Sequence, residues 1–554
     1  MARPRAVARI VLGPIVGHTD HQSSRVWIQV ADDPASYRLR VHGAGLFGFV
    51  STELGGQLEF RTAIAEANGL RSDTVYRYAV VREGRTIANG KGSFRTFPDP
   101  GSMAQLAVCA ISCNVAEEDG QWEALGKYIA EAKPQFLLMM GDQIYMDEGG
   151  VNLFDKNRRH QPRAKRRAAM VEKYRENWSR PLVRDVLANI PVYMMWDDHD
   201  IRDGWGSSPA DSPTMVELHP RGRPIFELCR AYYEDCRDAY WHFQGCHNPR
   251  PSNSSTDPAL PNYVDAPPAP GTRRAMPYAF RCGRLVVIVC DSRGDRDVFR
   301  SALPILGSEQ WQFFGQVIAS LAPDVEALAL VTATPLASID PDGPTMKLMG
   351  DRTDDVVAFR AGNEAGVLDL SGNTDKDQLA LAILNTHLSP KLSPFTGEQL
   401  NLGNFKLSGI DEARDQWSHK FSRPEQAALL RAAGRARLTN RAPQSPRGLI
   451  FLAGDIHVGA RFTIRCEDPR YEALSLVASG INTVFDSPPT IDVLLSRDFE
   501  VAPGIRSTLK EVVVEPNFGV ITVVPTGSGA LIDGVVAHEG LSVAFGLDIS
   551  NLLP

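Results

Sequence analysis

The sequence predicts a mixed α/β chain in two parts, a β-sandwich over residues 1–98 and a layered α/β domain over residues 99–554. The prediction rests on a change of pattern. Before about residue 98, short stretches alternate apolar and polar positions; beyond residue 100, unbroken apolar runs alternate with helix-spaced ones. In the first part Val26, Ile28 and Val30 alternate with polar residues, and residues 37–41 and 74–81 do the same. Gly55-Gly56 and Glu83-Gly84 punctuate them as turns. Short strands at this spacing point to a sandwich of immunoglobulin or fibronectin type. The stretch 94–101 (FRTFPDPG) reads as a linker.

In the second part the apolar runs are 106–110 (LAVCA), 136–140 (FLLMM), 192–196 (VYMMW), 285–289 (LVVIV), 329–331 (ALV), 381–384 (LAIL) and 449–453 (LIFLA). Runs without polar interruption suit strands covered on both faces. Between them Trp122, Leu125, Tyr128 and Ile129 have helical spacing. So do Trp311, Phe314, Ile318 and Leu321, with Ser308 as N-cap.

Composition narrows the function. The 554 residues are 43% apolar and 23% charged, enough to build a core. Lys+Arg 59 against Asp+Glu 66 gives a net charge of -7, which argues against a dedicated nucleic-acid binder. No stretch reaches the ~20 apolar residues of a membrane span. The N-terminus carries Arg3, Arg5 and Arg9, but Gly13 and Pro14 interrupt its apolar stretch and no small-residue cleavage site comes after it, so the reading is cytoplasmic. Eight cysteines without a CxxC pair are read as reduced, mostly buried thiols. The basic run 156–167 (KNRRHQPRAKRR) reads as a solvated helix start or loop, with phosphate steering as the weaker alternative, and the Pro-, Ser- and Asn-rich stretch 248–277 as a surface loop or a lid. Oligomeric state is not legible.

The chemistry lies in short polar clusters at the ends of the runs: ISCN (111–114), GDQIY (141–145), DDHD (197–200), CDSR (290–293), NTH (385–387) and GDIHVG (454–459). In open α/β sheets the carboxyl ends of neighbouring strands gather along one edge, where ligands bind. Carboxylates, imidazoles, a thiolate and a phenolate gathered there are metal ligands. One carboxylate can bridge two ions, and two ions ~3.5–4 Å apart clamp both oxygens of an in-line displacement at phosphorus. Singly, Asn114, Asp291 and His387 read as caps, turns or satisfied imidazoles. Jointly, Asp142, Tyr145, Asp198, His199, Asp455 and His457 read as a site. Cys109 reads as a small buried hydrophobe. No GxSxG turn is present, which sets aside a serine nucleophile.

This order of motifs resembles the alkaline phosphatase D (PhoD-like) family of the metallophosphoesterase superfamily. VGHTDHQSSRVWIQ, GLRSDTVYRY and GSFRTFPDP resemble the N-terminal β-sandwich of that family; LGSEQWQFF, DQWSHKFSRPEQAALLRAA and NFGVITV are further matches. The resemblance implies a layered αββα metallophosphoesterase domain and a binuclear phosphoesterase. Such an enzyme hydrolyses phosphate mono- or diesters by in-line attack of a metal-bound hydroxide. It implies Asp142 as bridging carboxylate, Tyr145 as phenolate ligand and Cys113 as a ligand to ferric iron. It also implies Asp198, Asp455 and His457 as ligands, His199 as proton donor and Arg293 as an arginine near the phosphate. Asp200 stands where Glu is common in the family, and His387 is a candidate further ligand. A thiolate with a phenolate suits Fe(III), and the Asp-rich half suits a hard cation such as Ca²⁺. The expected partner is a small phosphoester. A reading from another class is a metal-stabilised binding protein with a vestigial site.

Overall fold

The computed structural model describes residues 9–53, 59–147, 161–218, 220, 223–250, 260, 273–343, 346, 414–441, 445–484, 491 and 494–538. The expected strand at 381–384, His387 and most of the 248–277 stretch lie outside them. The chain opens with seven strands: β1 (Ile10–Thr19), β2 (Ser23–Val30), β3 (Tyr37–Val41), β4 (Gly45–Ser51), β5 (Thr62–Asn68), β6 (Val75–Arg82) and β7 (Arg85–Arg95). They run in the order β1-β2-β5-β4-β3-β6-β7, all pairs antiparallel. Within β4, residues 49–51 pair with β5 and residues 45–48 with β3, so one strand serves both halves. The apolar positions of the alternation face inward to a single core in which Val16, Val26 and Ile28 meet Leu39, Val80 and Phe94. The β6–β7 hairpin turns on Glu83 (φ 49°) and Gly84 (φ 76°), the backbone a two-residue turn demands.

In the stretch 94–101, read as a linker, residues 96–101 form no helix or strand, but the connection is held in place. β7 runs on to Arg95, and Phe97 is buried in the second part of the chain against Phe136, Tyr193 and Phe280. Burying that ring anchors the connection. The two parts also meet where Trp27 Nε1 donates to His242 O (2.9 Å) and Tyr78 OH to Ala188 O (2.9 Å).

The second part contains β8 (Leu106–Ile111), α1 (Trp122–Ala132), β9 (Phe136–Met140), α2 (Arg163–Trp178), α3 (Pro181–Asn189), β10 (Val192–Met195), α4 (Pro213–Leu218) and α5 (Arg223–Phe243). Next are β11 (Tyr278–Cys282), β12 (Leu285–Val289), α6 (Gly307–Ala319), β13 (Ala327–Val331), α7 (Arg423–Ala436), β14 (Gly448–Ala453), β15 (Gly459–Glu467) and β16 (Arg470–Val477). Last come β17 (Asp498–Ala502), β18 (Ile505–Val513), β19 (Asn517–Pro525) and β20 (Ala530–His538). They build a five-stranded sheet, β10-β9-β8-β19-β20, and an eight-stranded one, β11-β12-β13-β14-β16-β15-β18-β17. β8, β9 and β10 are parallel, as are β12, β13, β14 and β16.

Strand alternation explains the apolar runs. Val108, Leu138 and Met195 from one sheet share a core with Val287, Ala329 and Leu452 from the other. The intervening residues face helices: Cys109, Leu137 and Val192 pack with Trp122, Trp178 and Val186, and Val286, Leu328 and Phe451 with Phe313, Leu429 and Leu430. Each strand is thus apolar on both faces, and each fully buried Val or Leu contributes ~1.5–3 kcal/mol.

One local expectation shifts. Helix α6 begins at Gly307 after Leu306, not after a Ser308 cap. A carboxylate from another helix supplies acceptors there: Glu425 takes the amides of Ile305 (2.7 Å) and Leu306 (3.1 Å). The buried stripe of α6 is Gln310, Phe313, Phe314 and Val317, while Trp311 stays half-buried with its Nε1 on Glu425 Oε1 (2.7 Å). The described part of the basic run opens α2 with residues 162–165 exposed, as a solvated helix start would be, while Arg163 and Arg166 pair with Asp235 (2.6 Å each) on α5. All eight cysteines are buried and unpaired, Cys109 among them. No helix among the described residues is long and apolar enough to cross a membrane.

Candidate metal centre

The site is assembled from turns that leave β8, β9, β10 and β14 at their carboxyl ends. Four of its residues hold backbones that L side chains rarely adopt: Cys113 (φ 55°), Asp142 (φ 53°), Asp455 (φ 71°) and His457 (φ 54°). Such conformations cost of order 1–3 kcal/mol each and persist where the surrounding structure enforces them. The glycines of the two GD pairs have a steric reason. A Cβ on Gly141 (φ 97°) would overlap Asp197 Cβ, and one on Gly454 would overlap Ser112 Oγ and Cβ. Both allow neighbouring strand ends to close on one another. Asp200 ties two of the turns together, its Oδ2 accepting from the amides of Asp142 and Asp197 (2.9 Å each) and its Oδ1 from Gln244 Nε2 (2.8 Å).

Among the described residues, three sets of ligand atoms each lie within 4.8 Å of one another: Cys113, Asp142 and His457; Asp142, Asp198 and His199; and Asp142, Asp197, Asp198 and Asp455. Asp142 belongs to all three. On the first side Cys113 Sγ lies 3.6 Å from Asp142 Oδ2 and 3.2 Å from Ser479 Oγ, which also accepts from the His457 amide (2.8 Å). The Tyr145 hydroxyl lies 3.5 Å from His457 Nε2, and its ring packs on His199 with centroids 4.5 Å apart. Thus Cys113, Asp142, Tyr145, Asp198, His199, Asp455 and His457, the residues singled out from sequence, come together.

Arg293 also arrives, packed against the acids. It is fully buried; Nε donates to Asp197 Oδ1, Nη1 to Asp415 Oδ1 and Trp205 O (3.2 Å), and Nη2 to Asp415 Oδ2 (2.8 Å). Nη2 also lies 3.5 Å from Asp198 Oδ1 and 4.0 Å from Asp455 Oδ1. Its fork is occupied by the protein's own carboxylates. Asn114 and Asp291 do hold structure. Asn114 Oδ1 accepts from Trp122 Nε1 (3.0 Å), and Asp291 accepts from Trp196 Nε1 (2.7 Å) and the Met276 amide (2.6 Å).

Three participants are not assigned by the sequence reading. Asp147 holds His199 Nδ1 at 2.9 and 3.1 Å and accepts from the Asp203 amide (2.6 Å). Its one signal is that of a second acid five residues after Asp142. Asp197, the first acid of DDHD, joins the carboxylate set. Asp415 opens the DQWSHKF stretch and pairs with Arg293 across 122 residues, a separation no local pattern reports.

The electrostatics describe a site short of positive charge. Burial, then Asp198 and Asp197, push the Asp142 carboxyl well above the ordinary range. Burial with Asp197, Asp198 and Asp415 does the same to Asp455. Burial pushes Asp197 up to about 7 despite Arg293. At Asp198 burial is outweighed by Arg293 and His199, which hold it at about 2. Burial and Asp142 raise the Cys113 thiol, and burial with His199 lowers His457 to about 4. His199 is raised against its burial, because Asp147 faces it. Asp197 Oδ2 and Asp198 Oδ1 are buried without a hydrogen-bond partner. Clustered carboxylates with unsatisfied buried oxygens are costly unless cations neutralise them, so the donor set fits metal ions.

None of the curated proteins matches the chain. Among solved structures, that of PhoD superposes with a TM-score of 0.57 at 16% identity, over 97% of this chain and 92% of that one, and so shares the fold. Purple acid phosphatase PPD1 from yellow lupin (Lupinus luteus) seeds gives a TM-score of 0.47 at 11% identity, over 95% of this chain and 72% of that one. Residues 106–317, which include Cys113, Asp142, Tyr145, Asp198, His199 and Arg293, match the family model for PhoD-like phosphatases, and over that stretch the chain carries a PhoD-like phosphatase domain.

Proposed function

We propose that this chain is a binuclear metal-dependent phosphoesterase acting on phosphate mono- or diesters. The observation that carries the reading is the presence of Asp142 in all three ligand sets, which suits one carboxylate shared by two cations. Cys113, Tyr145 and His457 would hold one ion with Asp142; their thiol, phenol and imidazole suit Fe(III). Asp197, Asp198 and Asp455 would hold the other; an all-carboxylate set suits a hard divalent cation such as Ca²⁺. Bound there, the pair supplies Lewis acidity, which acidifies water and neutralises charge on phosphoryl oxygens.

The chain's own residues do the rest. Asp147 holds His199 at Nδ1, leaving Nε2 to give a proton to the departing oxygen. Arg293 balances Asp197, Asp198 and Asp455 rather than touching substrate. The domain reading belongs to the same proposal: residues 1–98 as a β-sandwich domain and residues 99–554 as an αββα catalytic domain. The test is hydrolysis of p-nitrophenyl phosphate and bis(p-nitrophenyl) phosphate after chelation and after restoring Fe³⁺ with Ca²⁺. Activity that returns with the cations and is lost in Asp142→Asn supports the reading. A cation-loaded protein inactive on every ester tried would favour a vestigial, metal-stabilised binding protein instead.

A further inference from the structure

Arg293 raises a question the reaction does not answer: what keeps a buried cation from competing with metal ions for the same acids? Its Nη2 stands 3.5 Å from Asp198 Oδ1 and 4.0 Å from Asp455 Oδ1. Left alone, a guanidinium so placed would fold onto these carboxylates and repel incoming ions. Asp415 prevents both. It comes from the DQWSHKF stretch, and its two oxygens take Nη1 and Nη2 in the fork-to-fork arrangement that fixes a guanidinium plane. Asp415 is 4% exposed and is itself held by Ser207 Oγ (2.9 Å) and by Arg296 Nη2 (3.2 Å).

With the plane fixed, Arg293 Nε meets Asp197 Oδ1. That leaves Asp197 Oδ2 buried without a hydrogen-bond partner, on a carboxylate that belongs to the set with Asp142, Asp198 and Asp455. We infer that Asp415 is a positioning residue of the metal centre: acting through Arg293, it holds Asp197 in the carboxylate set and offsets part of the arginine's charge, so that Arg293 balances the acids without displacing a cation from them. The inference rests on the metal reading above and adds a residue to it. Residues that orient ligands from outside the coordination sphere typically change metal affinity by ~10–100-fold when altered.

The test is calorimetric titration of the metal-depleted full-length protein with manganese(II), a probe that requires no substrate. Asp415→Asn is expected to weaken Mn²⁺ binding by ~10–100-fold. In an Arg293→Met background the same change is expected to add little, because the route through Arg293 is gone. Ser207→Ala removes one support of Asp415 without touching a charge; it gives a smaller loss in the same direction and serves if Asp415→Asn does not fold. Unchanged affinity in Asp415→Asn, or in Ser207→Ala where that variant has to stand in, overturns the inference. So does an equal loss with and without Arg293. A wild-type protein that takes up no Mn²⁺ overturns the metal reading itself, and this inference with it.

Discussion

Replacing His199 with Ala removes a side chain with one evident chemical task. The imidazole is held by Asp147 at Nδ1 (2.9 and 3.1 Å) and backed by the Tyr145 ring, while the residue's backbone amide and carbonyl bond to Asp142 and Met146. The backbone bonds survive the substitution, so the turn is expected to hold. What disappears is a proton donor. General acid catalysis is worth ~10²–10⁴ in rate, or about 3–5 kcal/mol of barrier. That loss should depend on the leaving group. An alkyl phosphate leaves as a basic alkoxide and needs the proton, whereas p-nitrophenolate departs without one. His199→Ala is therefore expected to lose the full ~10²–10⁴ in kcat on an alkyl ester and clearly less on a nitrophenyl ester. Steady-state rates on the two esters, with metal content checked in each preparation, decide the matter. Equal losses on both would refute the proton-donor role and point to a role in holding the metal centre.

Other consequences can be checked separately. Gly141→Ala places a Cβ on Asp197 at a φ of 97°, so it should lower stability by ~1–3 kcal/mol from backbone strain alone and weaken cation binding, read by thermal melts with and without Mn²⁺. Loading the metal-free protein near pH 7 should release protons, because burial raises Asp197 to about 7 and pushes Asp142 and Asp455 well above the ordinary carboxylate range; a pH-stat that records no release contradicts the carboxylate assignment. His247 is buried against Trp27, both ring nitrogens lack a hydrogen-bond partner, and burial lowers its pKa from 6.5 to about 3. Between those values the folded chain binds fewer protons than the unfolded one, so stability falls as pH drops through that window, by roughly 2 kcal/mol at pH 5 for this group. His247→Phe should flatten that acid loss, and an unchanged pH dependence of unfolding would contradict the assignment of a neutral buried ring.

The site was legible to the extent that its residues stand next to strands. Unbroken apolar runs marked β8, β9, β10 and β14, and the polar clusters behind them had to fall on sheet edges. Cys109 and Cys113 could be told apart because one lies inside a run and the other just past it. Partnerships across the chain were not legible. Asp415 is tied to Arg293 by a contact that leaves no periodic trace, and Asp147 gains meaning only once His199 folds over it. The insertion of β19 between β8 and β20 was equally hidden, since local alternation says that a strand exists and not which strand it joins. The α6 start shows a third kind of limit: Ser308 had the right chemistry for a cap, but Glu425 from α7 takes the nearby amides of Ile305 and Leu306.

The central claim is that one carboxylate, Asp142, is shared by two cations. Metal content per chain by mass spectrometry, for the wild type and for Asp142→Ala after identical loading, tests it most directly. The account predicts two ions per chain in the wild type and the loss of both in the variant. A single ion in the wild type, or a variant that keeps both, would contradict it.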